Sequence, residues 1–386
     1  MSAHMHISVS GHFFRLNYEY REIKKKGNST MTMSHNMYLS KQKTVQVTDS
    51  EKSLNTFVFA DAADSRSVRG LLVRNIQVNN NSIFVFSHMS DVMEKELSKY
   101  LKQQNYCIES FDPQQTTEQN FFINPFTLVS STRDIHFLFS SIYDALLHQG
   151  EVLGRAQSAL LDAYTNYVFT LFPKENRTIG AFMKLVQAGV LTCNDIPMYR
   201  ALFEEIEDKT SQPYVYYKQF CRAAGTQEKE IAEEVANVIA RIPLSMQTFM
   251  HRTESSVQAE LAFKTAFFLQ GDAVEQKLQM ILLNELIRVT ENHLPAFFVV
   301  NSIDLPDKIS SLPYWLSVSA KSHIDYMVFS TEETLQKYNS TVVEKKYIQG
   351  LLQNFYATIL IHAQTDSNVA TISIPAEEFE EEQEIL

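Results

Sequence analysis

A chain of 386 residues carries only ten glycines, where roughly 27 would be usual at an average share. Loops that cradle phosphate need glycine, because backbone N–H groups must close on the ligand with no Cβ in the way. The ten are Gly11, Gly27, Gly70, Gly150, Gly154, Gly180, Gly189, Gly225, Gly271 and Gly350. No two stand at the G-x-G spacing, and none belongs to a G-x-x-x-x-G-K pattern. An intact P-loop or dinucleotide fingerprint is therefore absent before any fold is considered. With 45% hydrophobic and 20% charged residues the chain can still bury a core, and global disorder is excluded. The length points to two domains, or to one with a large insertion.

The formal charge of −11 is unevenly spread. Residues 1–50 hold seven Lys/Arg against three Asp/Glu, with Lys24, Lys25 and Lys26 in a run. The last ten residues hold six glutamates, Glu377, Glu378, Glu380, Glu381, Glu382 and Glu384. Such a tail reads first as a solvated end and secondly as a docking element for a basic partner. Cys107, Cys193 and Cys221 form no C-x-x-C pair and read as buried free thiols in a reducing compartment. The opening residues lack the continuous apolar core of a signal peptide, and the longest apolar runs, such as Ala296–Val300, are too short to span a bilayer. A soluble, cytoplasmic protein is expected.

From residue 55 short apolar runs alternate with helical periodicity. Strands are predicted at Asn55–Ala60, Ser82–Ser87 and Tyr106–Phe111, with helices over roughly Ser65–Val78 and Val92–Gln104, the second buried along Val92, Leu97 and Leu101. That alternation is a doubly wound parallel unit. From Arg133 to about Gln270 no strand signal appears. Helices are predicted at Ile135–Leu147, Gly154–Phe172, Ile179–Ala188, Tyr199–Glu207, Tyr214–Ala224 and Glu228–Ala240, with Pro173, Pro197, Pro213 and Pro243 between them. A long helix, Ala273–Glu291, then leads to strands at Ala296–Ser302, Ile324–Ser330 and Tyr356–His362. The expected organisation is an N-terminal segment (1–50), a parallel α/β domain (51–132 and 271–375) interrupted by an all-α domain (133–270), and an acidic tail (376–386).

Several stretches in this order resemble the type IV coupling proteins of bacterial conjugation, the TraG/TraD-like hexameric ATPases. NMYLSKQKTVQVTDSEKSLNTFVFADA (Asn36–Ala62) is similar to the family's lead-in to its P-loop strand, and INPF (Ile123–Phe126) to the Asn-Pro before its all-α domain. Leu171–Gly189 and Phe203–Gly225 look like middle helices of that domain. Ser311–Tyr338 resembles the stretch after the Walker B strand, and Ile359–Ser373 the last core strand. The resemblance covers about Asn36 to Ser373 and implies a RecA-like P-loop NTPase-type sheet with an inserted all-α domain.

The positions that would carry the chemistry depart from the family. After Phe59, where a P-loop would begin, the chain reads Ala60, Asp61, Ala62, Ala63, Asp64, Ser65, Arg66, Ser67. Ala60 and Ser65 replace the two glycines, Arg66 replaces the lysine, and the hydroxyl position, Ser67, survives. Asp61 and Asp64 put carboxylates where phosphates would sit, and two unit charges about 4 Å apart repel by roughly 4 kcal/mol at an effective dielectric of about 20. Arginine's planar fork also presents charge differently from an ammonium. In the Walker B strand, Asn301 and Ser302 replace the Asp-Glu that would hold Mg²⁺ and polarise the attacking water, and Asp304 lies beyond the strand end. The family's Asp-Pro-Lys-Gly appears as Ser87, His88, Met89 and Ser90, and no Gln stands near Phe329–Thr331.

These departures leave a vestigial nucleotide loop (Ala60–Ser67) and a vestigial Walker B (Asn301, Ser302). They imply no catalytic residues, no ATP or Mg²⁺ cofactor and no resident metal. The bland reading of the loop is a strand-to-helix turn in which Asp64 or Ser65 caps a helix beginning near Arg66. No zinc-ligand spacing or nucleophile motif is present. Residues 134–250 hold ten Lys/Arg against fourteen Asp/Glu, so DNA contact would need a local patch. A protein-facing role is favoured, with Tyr214, Tyr216 and Tyr217 as one exposed aromatic run. The resemblance then implies a conjugation component, without ATPase activity, binding an active coupling ATPase or a relaxase-type substrate. Two rivals stay open: an ATP-driven DNA translocase with unorthodox motifs, and a divergent DNA-binding module.

Overall fold

The computed structural model describes residues 17–21, 32–40, 43–47, 55–60, 66–78, 83–111, 122–148, 151–250, 264–290, 295–301, 312–322, 324–330, 354–355, 357–361 and 370–373. The chain divides into two units, one comprising Met1–Phe111, Ala262–Leu269 and Glu291–Leu386, the other Asp112–Leu261 and Gln270–Thr290.

In the first unit β1 (Asn17–Arg21), β2 (Thr32–Ser40) and β3 (Lys43–Val47) form an antiparallel sheet in that order. The main sheet follows. Its strands are β4 (Thr56–Ala60), β5 (Ile83–Ser87), β6 (Cys107–Phe111), β9 (Thr265–Leu269), β10 (Ala296–Asn301), β11 (Ile324–Ser330), β12 (Ala357–Ile361) and β13 (Ala370–Ser373). They lie in the order β13-β12-β4-β11-β10-β5-β9-β6. Only β13 runs antiparallel; every other neighbouring pair is parallel. The central strands are near-continuous apolar runs because both faces are covered, as a parallel sheet requires. Helices α1 (Arg66–Val78) and α2 (Asp91–Gln103) cover one face. Val68, Leu71, Leu72 and Ile76 of α1 and Met93, Leu97 and Leu101 of α2 pack with Val58, Phe84, Phe86, Phe268, Val299 and Phe329. Helix α11 (Leu312–Ser322) packs on β11 through a buried Leu312, Trp315 and Leu316.

Two sequence expectations are corrected in this unit. The apolar stripe of α2 runs through Met93, not Val92, which is exposed; 93, 97 and 101 repeat every four residues, whereas 92 to 97 steps off the face. The segment Thr265–Leu269, expected inside an all-helical stretch, is a fully buried strand between β5 and β6. Five residues of TAFFL cannot show a period of their own. Lys264 (φ 64°) and Gly271 (φ 100°) mark backbone turns on either side of it.

The second unit is mainly helical: α3 (Thr132–Ala145), α4 (Arg155–Leu171), α5 (Ile179–Gly189), α6 (Met198–Glu204), α7 (Gln212–Ala224), α8 (Glu228–Ala240), α9 (Leu244–Phe249) and α10 (Ala273–Val289). Sequence signals set their ends. Ser131 and Thr178 cap α3 and α5 by accepting from Asp134 and Ala181 N–H, and Asp272 with Glu275 forms a capping box on α10. Pro197 and Pro243 precede α6 and α9, while Pro213 stands in the first turn of α7, where its missing N–H costs nothing. Asn124 of the INPF stretch caps a short 3₁₀ turn, Pro125–Thr127, and its amide donates to the Arg177 carbonyl at 2.8 Å. Helix α4 packs against α3, α5, α7 and α8. A two-residue hairpin, β7 (Thr192–Cys193) with β8 (Ile196–Pro197), turns through Asn194 and Asp195, both at positive φ; it is too short to read from sequence.

The tyrosine run and the cysteines also need correcting. Tyr217 is buried and stacks on Phe203 at 5.0 Å, while Tyr214 and Tyr216 are partly exposed. The three cysteines are free thiols, but Cys107 and Cys193 are exposed and Cys221 partly so. Cys107 opens the edge strand β6, and Cys193 lies in the hairpin.

Candidate functional site

In an open parallel sheet a ligand crevice forms beyond the carboxyl ends of the strands, where the chain's crossovers part to opposite sides. Here β4 sends its crossover past β11 and β10 to reach β5, while β10 and β11 are adjacent. The register brings the strand ends level: Ala60 pairs with Ile361, Phe59 with Ser330, Phe329 with Asn301, and Val300 with Ser87. Ala60 and Asn301 thus lie at the same end of the sheet with β11 between them, about 10 Å apart across the strands, Asn301 being level with Val58, two residues before Ala60.

Ala60 is the last residue of β4, and Arg66 and Ser67 are the first two of α1. Asp61, Ala62, Ala63, Asp64 and Ser65, which join them, lie outside the described residues, as do Ser302 and Asp304. A strand ending at Ala60 and a helix opening at Arg66 is the strand–loop–helix context in which a nucleotide loop would stand.

Asn301 is buried at 2% exposure, and its Nδ2 donates to the His88 carbonyl at 2.7 Å. His88 lies just past β5 at φ 56°, in the left-handed region that non-glycine residues seldom adopt. One residue earlier, Ser87 Oγ donates to the Val299 carbonyl at 3.4 Å. These two bonds tie the ends of β5 and β10 together. Ser90 then caps α2 by accepting from Met93 N–H at 3.3 Å. Ser87 and His88 are therefore tied to β10, and Ser90 to the first turn of α2. An amide that donates to a backbone carbonyl is neutral and has no charge to offer a cation. Among the described residues no group of three His, Cys, Asp or Glu could hold a metal ion.

Sequence reasoning missed Asn55, which sets where β4 begins. It is fully buried; its Nδ2 donates to the carbonyls of Leu316 (3.1 Å) and Asn354 (3.2 Å), and its Oδ1 accepts from Tyr326 N–H (3.1 Å). The one available signal was a polar residue heading an otherwise apolar strand.

No protein-family model matches the chain, and no curated protein matches it. Solved structures do. The plasmid coupling protein TrwB, in complex with the non-hydrolysable ATP analogue ADPNP, superposes with a TM-score of 0.53 at 11% identity, over 80% of this chain and 70% of that one. The bacterial conjugative coupling protein TrwBdeltaN70, in its trigonal form with sulphate, gives 0.50 at 11% identity, over 92% of this chain and 80% of that one. The fold is thus α/β, of the RecA-like P-loop NTPase type. At such identity the likeness to TrwB is one of fold. Among the described residues no helix is long and apolar enough to cross a membrane.

Proposed function

We propose that the chain is a coupling-protein-like component of a conjugative type IV secretion system that acts by binding other proteins, without an ATPase of its own. The TrwB-like fold supports the first part. For the second, the carrying observation is Asn301: the residue at the Walker B position is a buried amide committed to the His88 carbonyl. Loss of both phosphate-loop glycines at Ala60 and Ser65 supports the same conclusion. The partners would be an active coupling ATPase or a relaxase-type substrate, met through the helical residues of 133–270 and the acidic tail at 376–386. Its place would be the cytoplasm, at the inner face of the membrane.

Calorimetric titration with ATP and Mg²⁺ tests the reading. No heat and no phosphate release are expected; micromolar binding with turnover overturns it. One observation favours a second reading, an ATP-driven DNA translocase, because TrwB itself is known in complex with ADPNP. That reading predicts DNA-stimulated hydrolysis which Arg66→Ala abolishes.

A further inference from the structure

Helix α2 separates its charges. Asp91 and Glu94 stand in its first turn, where the helix dipole favours them, and Glu96 is engaged by Arg69 on α1. Lys95, Lys99 and Lys102 follow at i, i+4 and i+7, one exposed stripe on the side away from Met93, Leu97 and Leu101. Among the described residues none of these three amines belongs to an ion pair. The dipole accounts for Lys102 in the last turn but not for Lys95 in the second, and like charges at i, i+4 repel. Lys264 adds a fourth amine at the helix end: its Nζ donates to the Gln104 carbonyl at 3.3 Å and lies 6.0 Å from the centre of the Tyr106 ring.

A stripe of cations without counter-charges suits an acidic chain, and this sequence holds one. Residues 376–386 carry six glutamates and no Lys or Arg. The fold brings the two to the same end of the sheet. Strand β13 runs antiparallel to β12, so its last residue, Ser373, pairs with Thr358 and is level with Phe57, near the amino ends of the parallel strands. Helix α2 returns from the carboxyl end of β5 to the start of β6, which places Lys102 at that end too, and Lys264 immediately precedes β9. From β13 to β9 is six strand spacings, about 29 Å. The eleven residues from Ser373 to Glu384 span up to about 37 Å when extended, and long lysine and glutamate side chains narrow the gap further.

We infer that the lysine stripe of α2 is the docking surface for this chain's own glutamate-rich segment, with Glu381, Glu382 and Glu384 meeting Lys99, Lys102 and Lys264. Each exposed pair is weak alone, and several on one tether act together. The tether also favours the chain's own segment over that of a second copy, since attachment supplies an effective concentration of the order of millimolar. The function proposed above gives the same segment a partner to bind. That partner must displace it from α2, a consequence that rests on that reading, whereas the contact itself does not.

Zero-length carbodiimide cross-linking of the full chain tests this, on an equal mixture of isotope-labelled and unlabelled protein read by mass spectrometry. At about 20 mM salt, bonds from Glu380–Glu384 to Lys99, Lys102 and Lys264 within chains of one label should dominate, and they should fall about fivefold or more at about 500 mM. Lys95→Gln, Lys99→Gln and Lys102→Gln together, at exposed positions where glutamine suits a helix, should cut the yield at the unaltered Lys264 several-fold. The readout involves no partner and no nucleotide, so its failure is separate from that of the proposed function. Bonds between chains of different label, bonds spread evenly over other lysines such as Lys24–Lys26 and Lys184, no bonds at low salt, or an unchanged Lys264 yield in the triple variant overturns the proposal.

Discussion

Asn301 Nδ2 and the His88 carbonyl, 213 positions apart, meet at 2.7 Å and tie the ends of β10 and β5 at the carboxyl edge of the parallel sheet. The amide matters because it donates. A carboxylate at the same place would face a carbonyl oxygen with nothing to offer it.

Asn301→Asp is therefore expected to act against the fold. It removes a buried donor and sets two acceptors against each other, a change worth about 1–3 kcal/mol. Urea unfolding should show that loss, and a phosphate-release assay with ATP and Mg²⁺ should stay at background. A variant as stable as the wild type that hydrolyses ATP would mean the amide is an incidental stand-in for the acid.

Asn55 makes a comparable prediction at the other end of β4. Its side chain answers three backbone groups, on Tyr326, Leu316 and Asn354. Asn55→Ala removes all three of these bonds from a fully buried position and should cost about 2–4 kcal/mol. Asn55→Asp keeps the acceptor for Tyr326 but buries a charge beside two carbonyls, and should be no better. Chemical denaturation of both variants checks the order; an Asn55→Ala loss under about 0.5 kcal/mol would contradict it.

The strands at the sheet's centre were legible because a parallel sheet buries both faces, so Phe57–Ala60, Ile83–Ser87 and Ile324–Ser330 stand out as apolar runs. Thr265–Leu269 has the same character but follows a long helical stretch, and five apolar residues alone do not distinguish strand from buried helix. The stripe of α2 was misread by one position, which at 100° per residue moves a side chain from core to solvent. At the site, sequence could put Ala60 and Asn301 at strand ends. It could not show that Asn301 bonds to His88 or that Asn55 staples β4, because both depend on contacts between distant segments.

Gly189 and Tyr164 offer a test of packing. A Cβ at position 189 would lie 1.9 Å from the Tyr164 Oη and 3.4 Å from Cβ of Tyr199. Tyr164 is almost fully buried, and its hydroxyl has no hydrogen-bond partner among the described residues. Gly189→Ala should therefore destabilise by about 1–3 kcal/mol through overpacking. Tyr164→Phe alone should be near neutral, since it deletes an unsatisfied hydroxyl. Combined, the two should recover much of the loss, giving a coupling of about 1 kcal/mol in a double-mutant cycle. Strict additivity would show that the hydroxyl is not what excludes the methyl.

The acid limb of stability supplies the last prediction. Glu151 is held by Arg241, whose Nη1 also reaches the Leu146 carbonyl, and by the backbone N–H of His148. The Arg241 hydrogen bond, more than any other cause, pulls the Glu151 carboxyl down to about 2. A depressed carboxyl contributes stability above its ordinary value and loses it as pH falls through the folded one, so the window runs from the usual carboxylate range down to about 2. Both side chains reach solvent, which limits the pair to about 1 kcal/mol or less. Thermal unfolding from pH 6 downward should therefore show Arg241→Ala shedding a small part of the wild-type stability at neutral pH and converging on it near about pH 2. Added salt should shrink the difference at the upper end. A gap between the two proteins that stays constant down to that pH would assign the effect to the Leu146 carbonyl bond instead.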